Sequence, residues 1–312
     1  MITLHHVYII TGFVFAAFAV LSARDGSNSR RLVNAGFWAL IALSMLAGDR
    51  LGDFGNGLLV LVLVGVAGFG KLGRGKASPD AVRQTAEAER RGNRLFLLAL
   101  VIPATALFGT LVLKDRAWLV DPKQVTLISL ALGVMLALSI GYAWLRPKPL
   151  APFEEGRRLM DAVGWAAVLP QMLASLGAVF ALAGVGDVVG GIFGQIIPHG
   201  NLFAAVLVYG LGMALFTMIM GNAFAAFPVM LTAIGLPLLI TGAHGDPAVI
   251  CALGMLCGFC GTLMTPMAAN FNIVPAALLE LKDANGVIRA QVGTALPLLA
   301  VNIALLYWLA FR

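Results

Sequence analysis

Long apolar runs alternate with short polar stretches over the whole chain. A helix that crosses a bilayer needs about 20 predominantly apolar residues, or about 17 to 25 when tilted. Residues 7–23, 32–47, 54–69, 95–113, 125–145, 159–185, 202–220 and 293–311 follow that pattern, with less regular apolar material over 223–281. The pattern predicts an all-α polytopic membrane protein with roughly 8–10 transmembrane helices, some re-entrant or discontinuous. The first run has no Lys or Arg before it and ends on Leu21-Ser22-Ala23, a poor cleavage site, so it reads as a retained span rather than a signal peptide.

Lys and Arg in short loops set orientation. The loop after the first run holds Arg24, Arg30 and Arg31, and the loop after the second only Arg50. After the third come Lys71, Arg74, Lys76, Arg83, Arg90, Arg91 and Arg94; after the fourth, Lys114, Arg116 and Lys123; after the fifth, Arg146, Lys148, Arg157 and Arg158. The loop after the sixth, around 187–200, carries none. Odd loops are the richer set, which predicts an N-terminus outside and the odd loops in the cytoplasm. Residues 71–94 form the one extended cytoplasmic loop, in which Pro79-Asp80 opens a short surface helix. Its bland reading is a solvated connector that also anchors topology.

Texture changes along the chain. Up to residue 185 the spans are plain and rich in Leu, Val and Ala, as a scaffold of membrane helices would be. From 186 to 312 Gly, Pro, Asn and Thr enter the apolar segments, which marks a site-bearing transport region. Gly190/Gly194 and Gly254/Gly258 allow close helix approach, but close packing does not call for Asn and Pro.

Two segments concentrate those residues. One runs Met220-Gly221-Asn222-Ala223-Phe224-Ala225-Ala226-Phe227-Pro228 and continues to Pro237; the other runs from Gly261-Thr262-Leu263-Met264-Thr265-Pro266 through Asn270 and Asn272 to Pro275. Proline removes a backbone donor and clashes with the preceding turn, so each helix should break before it. Broken backbone at membrane depth survives only inside protein or beside a wet cavity, and many secondary transporters build their sites this way. Gly221, Asn222, Gly261, Thr262, Thr265, Asn270 and Asn272 are therefore the candidate substrate- and ion-binding residues, meeting in the middle of the bilayer. Asn supplies donors and acceptors, Thr a hydroxyl, and Gly close backbone access. The alternative is a pair of kinked helices whose asparagines only bond a neighbour.

Composition narrows the chemistry. Charged residues make up 12% of the chain and hydrophobic ones 60%, where a soluble domain carries about 25% charged. The net charge of +6 sits between spans, as topology requires, so no nucleic-acid partner is expected. Asp187 is placed in a loop or re-entrant turn and Glu280 at a span's end, outside both segments. The candidate site is thus neutral, which suits Na+ held by carbonyl and amide oxygens near Asn222 and Asn270 and leans against proton coupling. His5 and His6 read as interfacial; His199 and His244 fall in loops. Cys251, Cys257 and Cys260 read as small buried hydrophobes, since one C-x-x-C makes no metal shell. Neither H-E-x-x-H nor G-x-S-x-G occurs, so no enzyme and no other cofactor are expected.

The segment 220–228 resembles the hairpin tip of the ion transporter superfamily, which includes sodium-coupled dicarboxylate carriers, and 261–270 resembles that superfamily's unwound loop. The departures are Gly221 and Ala223 in place of two hydroxyl residues, and Met267-Ala268-Ala269 in place of a second proline. More closely, the chain resembles the bacterial domain-of-unknown-function family 979, described as one subunit of a 5-oxoproline (pyroglutamate) transporter, most specifically over 220–290. That resemblance implies a permease subunit for a small carboxylate, Na+-coupled symport by alternating access, and either a second membrane subunit or a homodimer as partner. A non-transporting assembly subunit of a larger complex is the other reading.

Overall fold

The computed structural model describes all residues except 70, 71, 74, 76–80, 117, 197–200 and 280. Among the described residues there is no strand beyond a single bridge between Ile2 and Val120, and seven helices are long and apolar enough to cross a membrane. The protein is an all-α, multi-pass membrane protein. It divides into two compact units, Met1–Gly164 and Trp165–Arg312, earlier in the chain than the change of texture at residue 185.

The first unit begins with α1 (Leu4–Arg24) and α2 (Arg31–Phe69). Gly52 interrupts α2 with φ 63, a left-handed conformation that glycine adopts without steric cost. The chain turns back there: Val66 of the second arm lines the same surface as Val33, Gly36 and Leu40 of the first. The two arms reproduce the expected spans 32–47 and 54–69. The turn leaves carbonyls without helical partners, and Asn56 Nδ2 donates to two of them, Gly48 at 2.8 Å and Gly52 at 2.9 Å. Next come the surface helix α3 (Ala81–Arg91), α4 (Phe96–Val112) and α5 (Val125–Leu145). The expected start of α3 at Pro79-Asp80 lies outside the described residues, as do Lys71, Arg74 and Lys76.

α6 (Ala151–Val163) carries Glu154, Glu155, Arg157, Arg158 and Asp161 and ends at Gly164, φ 59. The expected single span over 159–185 is therefore not formed. Its first residues belong to this amphipathic helix, because the charges at 154–161 cannot enter hydrocarbon unpaired.

Polar contacts sort the loops of this unit onto two faces. On one, Asn34 Nδ2 donates to the Gly73 carbonyl (2.8 Å), Gly73 N–H to Asn34 Oδ1 (2.9 Å), and Arg157 bridges Asp25 and Asp161, both at 2.9 Å. Those contacts gather the first, third and fifth loops. On the other, Ile2 N–H donates to the Leu119 carbonyl (2.7 Å) and His5 lies 3.5 Å from Asp49, which gathers the N-terminus with the second and fourth loops. The grouping matches the alternation of Lys and Arg.

The first face is held by a buried carboxylate. Asp161 Oδ1 accepts from Asn34 Nδ2 (2.8 Å) and Trp38 Nε1 (2.7 Å), while Oδ2 takes Arg157. Burial pushes the Asp161 carboxyl up from its ordinary range, and the donors from Trp38, Asn34 and Arg157 offset only part of it. For Asp25, burial also pushes upward, but hydrogen bonds from Ser27 and the Arg157 guanidinium outweigh it and hold the carboxyl low.

The second unit contains α7 (Leu169–Leu182) and α8 (Val185–Ile196), separated by Gly184 at φ 68. At 14 and 12 residues each is too short to span alone. Asp187, expected in a loop or re-entrant turn, stands in the first turn of α8, where a carboxylate suits the helix dipole. His199 lies outside the described residues. α9 (Leu202–Met220) is capped by Asn201, whose side chain accepts from Ala204 N–H. α10 (Ala223–Met230) leads into a π-helical segment, Leu231–Gly242, and His244 follows in a loop with φ 53. α11 (Pro247–Thr262), α12 (Ile273–Leu278) and α13 (Gly286–Leu309) complete the unit.

Glycines set its packing. Gly177 faces the Ala225 backbone, Gly190 faces Ala233, and a Cβ at Gly261 would meet the Ala214 carbonyl. Small residues that let backbones approach are how membrane helices gain packing energy when lipid is as apolar as the side chains. Around them, Val206, Tyr209, Met213, Met230, Ile234 and Ile250 form the fully buried core.

Candidate functional site

The first interrupted segment breaks at Gly221, not at its prolines. Gly221 caps α9 with φ 73, and Asn222 caps α10, its Oδ1 accepting from Phe224 N–H at 2.8 Å. α9 and α10 form an antiparallel hairpin about this tip, shown by Gly212 packed on Met230 and Gly235 on Tyr209. Pro228 and Pro237 stay within helix, contrary to the sequence expectation. The wider π register has no bond from residue 237 to the carbonyl four earlier, so the clash that proline makes in an α-helix is relieved. Thr232 Oγ1 donates to the Pro228 carbonyl at 2.9 Å, adding support where the register changes.

The second segment breaks as predicted. α11 ends at Thr262, and turns run to Asn272 before α12. Pro266 lies just beyond the helix end, a common position for a residue that cannot continue a helix.

Folding brings the two breaks together. A Cβ at Gly221 would strike the Met267 carbonyl, so the hairpin tip touches the unwound loop backbone to backbone. Thr265 Oγ1 donates to the Met218 carbonyl (2.9 Å), one of the last carbonyls of α9, and accepts from Met267 N–H (3.2 Å). Asn272 is fully buried; its Nδ2 donates to the carbonyls of Thr262 (2.8 Å) and Thr265 (2.7 Å), which the end of α11 leaves without helical partners. Its Oδ1 and the nearby hairpin's Thr217 Oγ1 are buried with no protein partner.

Of the predicted residues, Gly221, Asn222, Thr265 and Asn272 thus meet at one junction. Thr262 sits there too, but its hydroxyl donates to the Phe259 carbonyl (2.6 Å) of its own helix. Gly261 serves close packing on Ala214. Asn270 is exposed on the same loop, and no side-chain hydrogen bond of it appears among the described residues. Glu280 lies outside the described residues.

Helix lengths locate the junction in depth. Tyr209 packs on Gly254 and Met213 on Gly258, so α9 and α11 run parallel with Asn201 level with Asp246. Asp246 N–H donates to the Ala310 carbonyl (2.7 Å), which adds the end of α13 to that level. From there the 19 residues of α9 rise about 28 Å at 1.5 Å each, close to the roughly 30 Å of the hydrocarbon core. The junction therefore stands about 28 Å along the helix axes from the level of Asn201, Asp246 and Ala310. Between those two levels lie polar residues the sequence reading passed over: Tyr209, whose buried hydroxyl has no protein partner, and Asn302, whose Nδ2 lies 3.5 Å from Cys260 Sγ. Cys257 and Cys260 are buried free thiols, in keeping with their reading as small buried hydrophobes, whereas Cys251 is only half-buried.

The missed contributors are mostly main chain. The carbonyls of Met218, Thr262, Thr265 and Met267 carry no signature in sequence; only the polar residues placed to serve them do.

The family model for "Protein of unknown function (DUF979)" matches residues 5–311 of the chain. No curated protein and no solved structure matches it.

Proposed function

We propose that this chain, which belongs to the DUF979 family, is a subunit of a secondary transporter for a small carboxylate such as 5-oxoproline, coupled to Na+. The observation that carries the proposal is the direct contact between the Gly221 tip and the Met267 carbonyl. Two breaks in neighbouring membrane helices, packed on each other, expose peptide dipoles where a solute and an ion can use them. Asn222 and Asn270 offer amide groups to a carboxylate, and the unpartnered Oδ1 of Asn272 and Oγ1 of Thr217 are neutral oxygens of the kind Na+ takes. The choice of 5-oxoproline rests on the family resemblance of residues 220–290, not on geometry. A partner subunit, or a second copy of the chain, completes the site in this reading, and the odd loops of the first unit face the cytoplasm.

Uptake of labelled 5-oxoproline into vesicles, with and without a neighbouring membrane subunit and in Na+ or choline, tests it. Uptake that needs this chain and Na+ supports the proposal; vesicles with no uptake in any combination reject it. The second reading, an assembly subunit without transport, has its own support: Thr262, Thr265 and the Asn272 amide spend their donors on backbone, as a purely structural junction would.

A further inference from the structure

α7 and α8 follow one course along a neighbouring span. Gly177 faces Ala225, a Cβ at Gly186 would strike Thr232, and Gly190 faces Ala233, so the contacts advance in step along both segments. That neighbour, Ala223–Gly242, is a 20-residue segment long and apolar enough to cross a membrane, and Thr232 is its tenth residue. Asp187 follows Gly186 and therefore stands beside the middle of the span, roughly 15 Å of helix from either end. It is exposed on this chain and makes no ion pair or side-chain hydrogen bond among the described residues. The surface around it is apolar: Leu182 is 89% exposed and Val188 66%, and Ile192 lies open beside them. Gly191, one turn from Asp187, has empty space where a side chain would be.

Hydrocarbon is a poor cover for that face. A carboxylate in the middle of a span is costly, and the short Asp side chain cannot reach the headgroups; intramembrane charges are therefore paired. This chain holds no cation for the purpose. Its Lys, Arg and His lie in loops, in the surface helices α3 and α6 or in the terminal turns of spans, and a second copy has the same distribution. We propose that the outer face of α7–α8 around Asp187 docks a spanning helix of a different membrane subunit, one that carries a Lys or Arg at the same depth. That residue neutralises Asp187 in a charge-assisted pair, the apolar flanks pack on the partner helix, and the bare Gly191 lets the two backbones approach. The inference rests on the membrane setting and not on transport, and it selects a different subunit where the proposed function left a second copy open.

Photocrosslinking in native membranes, from a photoreactive residue at Val188 or Ile192 of the full chain, tests the docking. The expected crosslink is to a spanning segment of another subunit that contains Lys or Arg. Crosslinks to a second copy of this chain, to lipid alone, or to a span without a basic residue overturn the proposal. Asp187→Lys should then cut co-purification of the crosslinked subunit at least about ten-fold, the loss expected when one member of a buried charge pair is removed. Replacing the mapped basic residue by Asp should restore it, an outcome that a merely structural role for Asp187 does not produce. Co-purification unchanged by Asp187→Lys, or not restored by the exchange, overturns the proposal. Should Asp187→Lys fail to fold, Asp187→Asn, which keeps the shape and should leave the melting of the isolated chain unchanged, reads the same loss. A complex that forms through Asp187 but moves no solute sinks the transport reading and leaves this one standing.

Discussion

Replacing Gly221 by Ala attacks the contact on which the second unit's site depends. The position has φ 73, and an L-residue in the left-handed region costs about 1–2 kcal/mol. The added methyl also points at the Met267 carbonyl, and forcing an extra carbon into a packed site costs about 1–3 kcal/mol more. Together these give about 2–5 kcal/mol, which for a chain of this size lowers the melting temperature by roughly 3–8 °C. Thermal unfolding of the purified chain in detergent reads the shift. Gly293→Ala is the control, because it lies inside α13 with open space around its Cα and should gain up to about 1 kcal/mol. Truncating the neighbouring side chain as well, with Met267→Ala, should not restore stability, since the main obstruction is main chain. A Gly221→Ala protein that melts with the native one would refute the backbone contact and the reasoning built on it.

Asp161→Ala should cost about 3–5 kcal/mol, because it breaks a buried ion pair, strands the Trp38 indole N–H and leaves Arg157 with only Asp25 and Asn34 with only the Gly73 carbonyl; denaturant or thermal unfolding measures it. Asn272→Leu should cost about 2–4 kcal/mol by stranding the carbonyls of Thr262 and Thr265, whereas Asn270→Ala should be within about 0.5 kcal/mol of native, as exposed substitutions usually are. The Asp25 carboxyl is held below its ordinary value of 3.8, so its contribution is fully present above that pH and is lost as the pH falls below it. Asp25→Asn should therefore lower stability at pH 6 and flatten its acid dependence, seen as a smaller change in melting temperature between pH 5 and pH 3. Single cysteines at Arg30 and Arg116 should react with an impermeant thiol reagent from opposite sides of the membrane, Arg116→Cys from the periplasm; labelling from the same side contradicts the grouping of loops.

The spans were legible because an apolar run of sufficient length has only one outcome in a bilayer. Even the Gly52 turn was visible, since Asp49, Arg50 and Asp53 stand between the arms of α2. The break at Gly164, inside the expected span 159–185, was not, because Gly164 is one glycine among many and only its positive φ distinguishes it. Charges were misweighed at residues 154–161: the apolar stretch 162–185 hid an amphipathic helix whose Asp161 pairs with Arg157 four positions earlier and takes hydrogen bonds from Asn34 and Trp38, more than a hundred positions away. Proline misled for a related reason. It disfavours an ideal α-helix, but α10 carries Pro228 and a π-helical stretch accommodates Pro237, and the real break fell on the glycine and asparagine at 221–222. That the two interrupted segments meet was an expectation of the sequence, but which backbone groups Asn222 and Asn272 serve there was not legible, since helix pairing sets those partners and no local pattern encodes them.

The account stands or falls on whether the meeting of the two breaks handles a solute. Because Asn270 is exposed on the unwound loop and its loss should leave the fold intact, Asn270→Ala isolates that role. Uptake of labelled 5-oxoproline in vesicles that hold the chain and its membrane partner is predicted to fall at least about ten-fold in this variant, the loss of about 1.4 kcal/mol of solute binding. Uptake at the native rate, with the variant inserted and melting like the native chain, would contradict the claim.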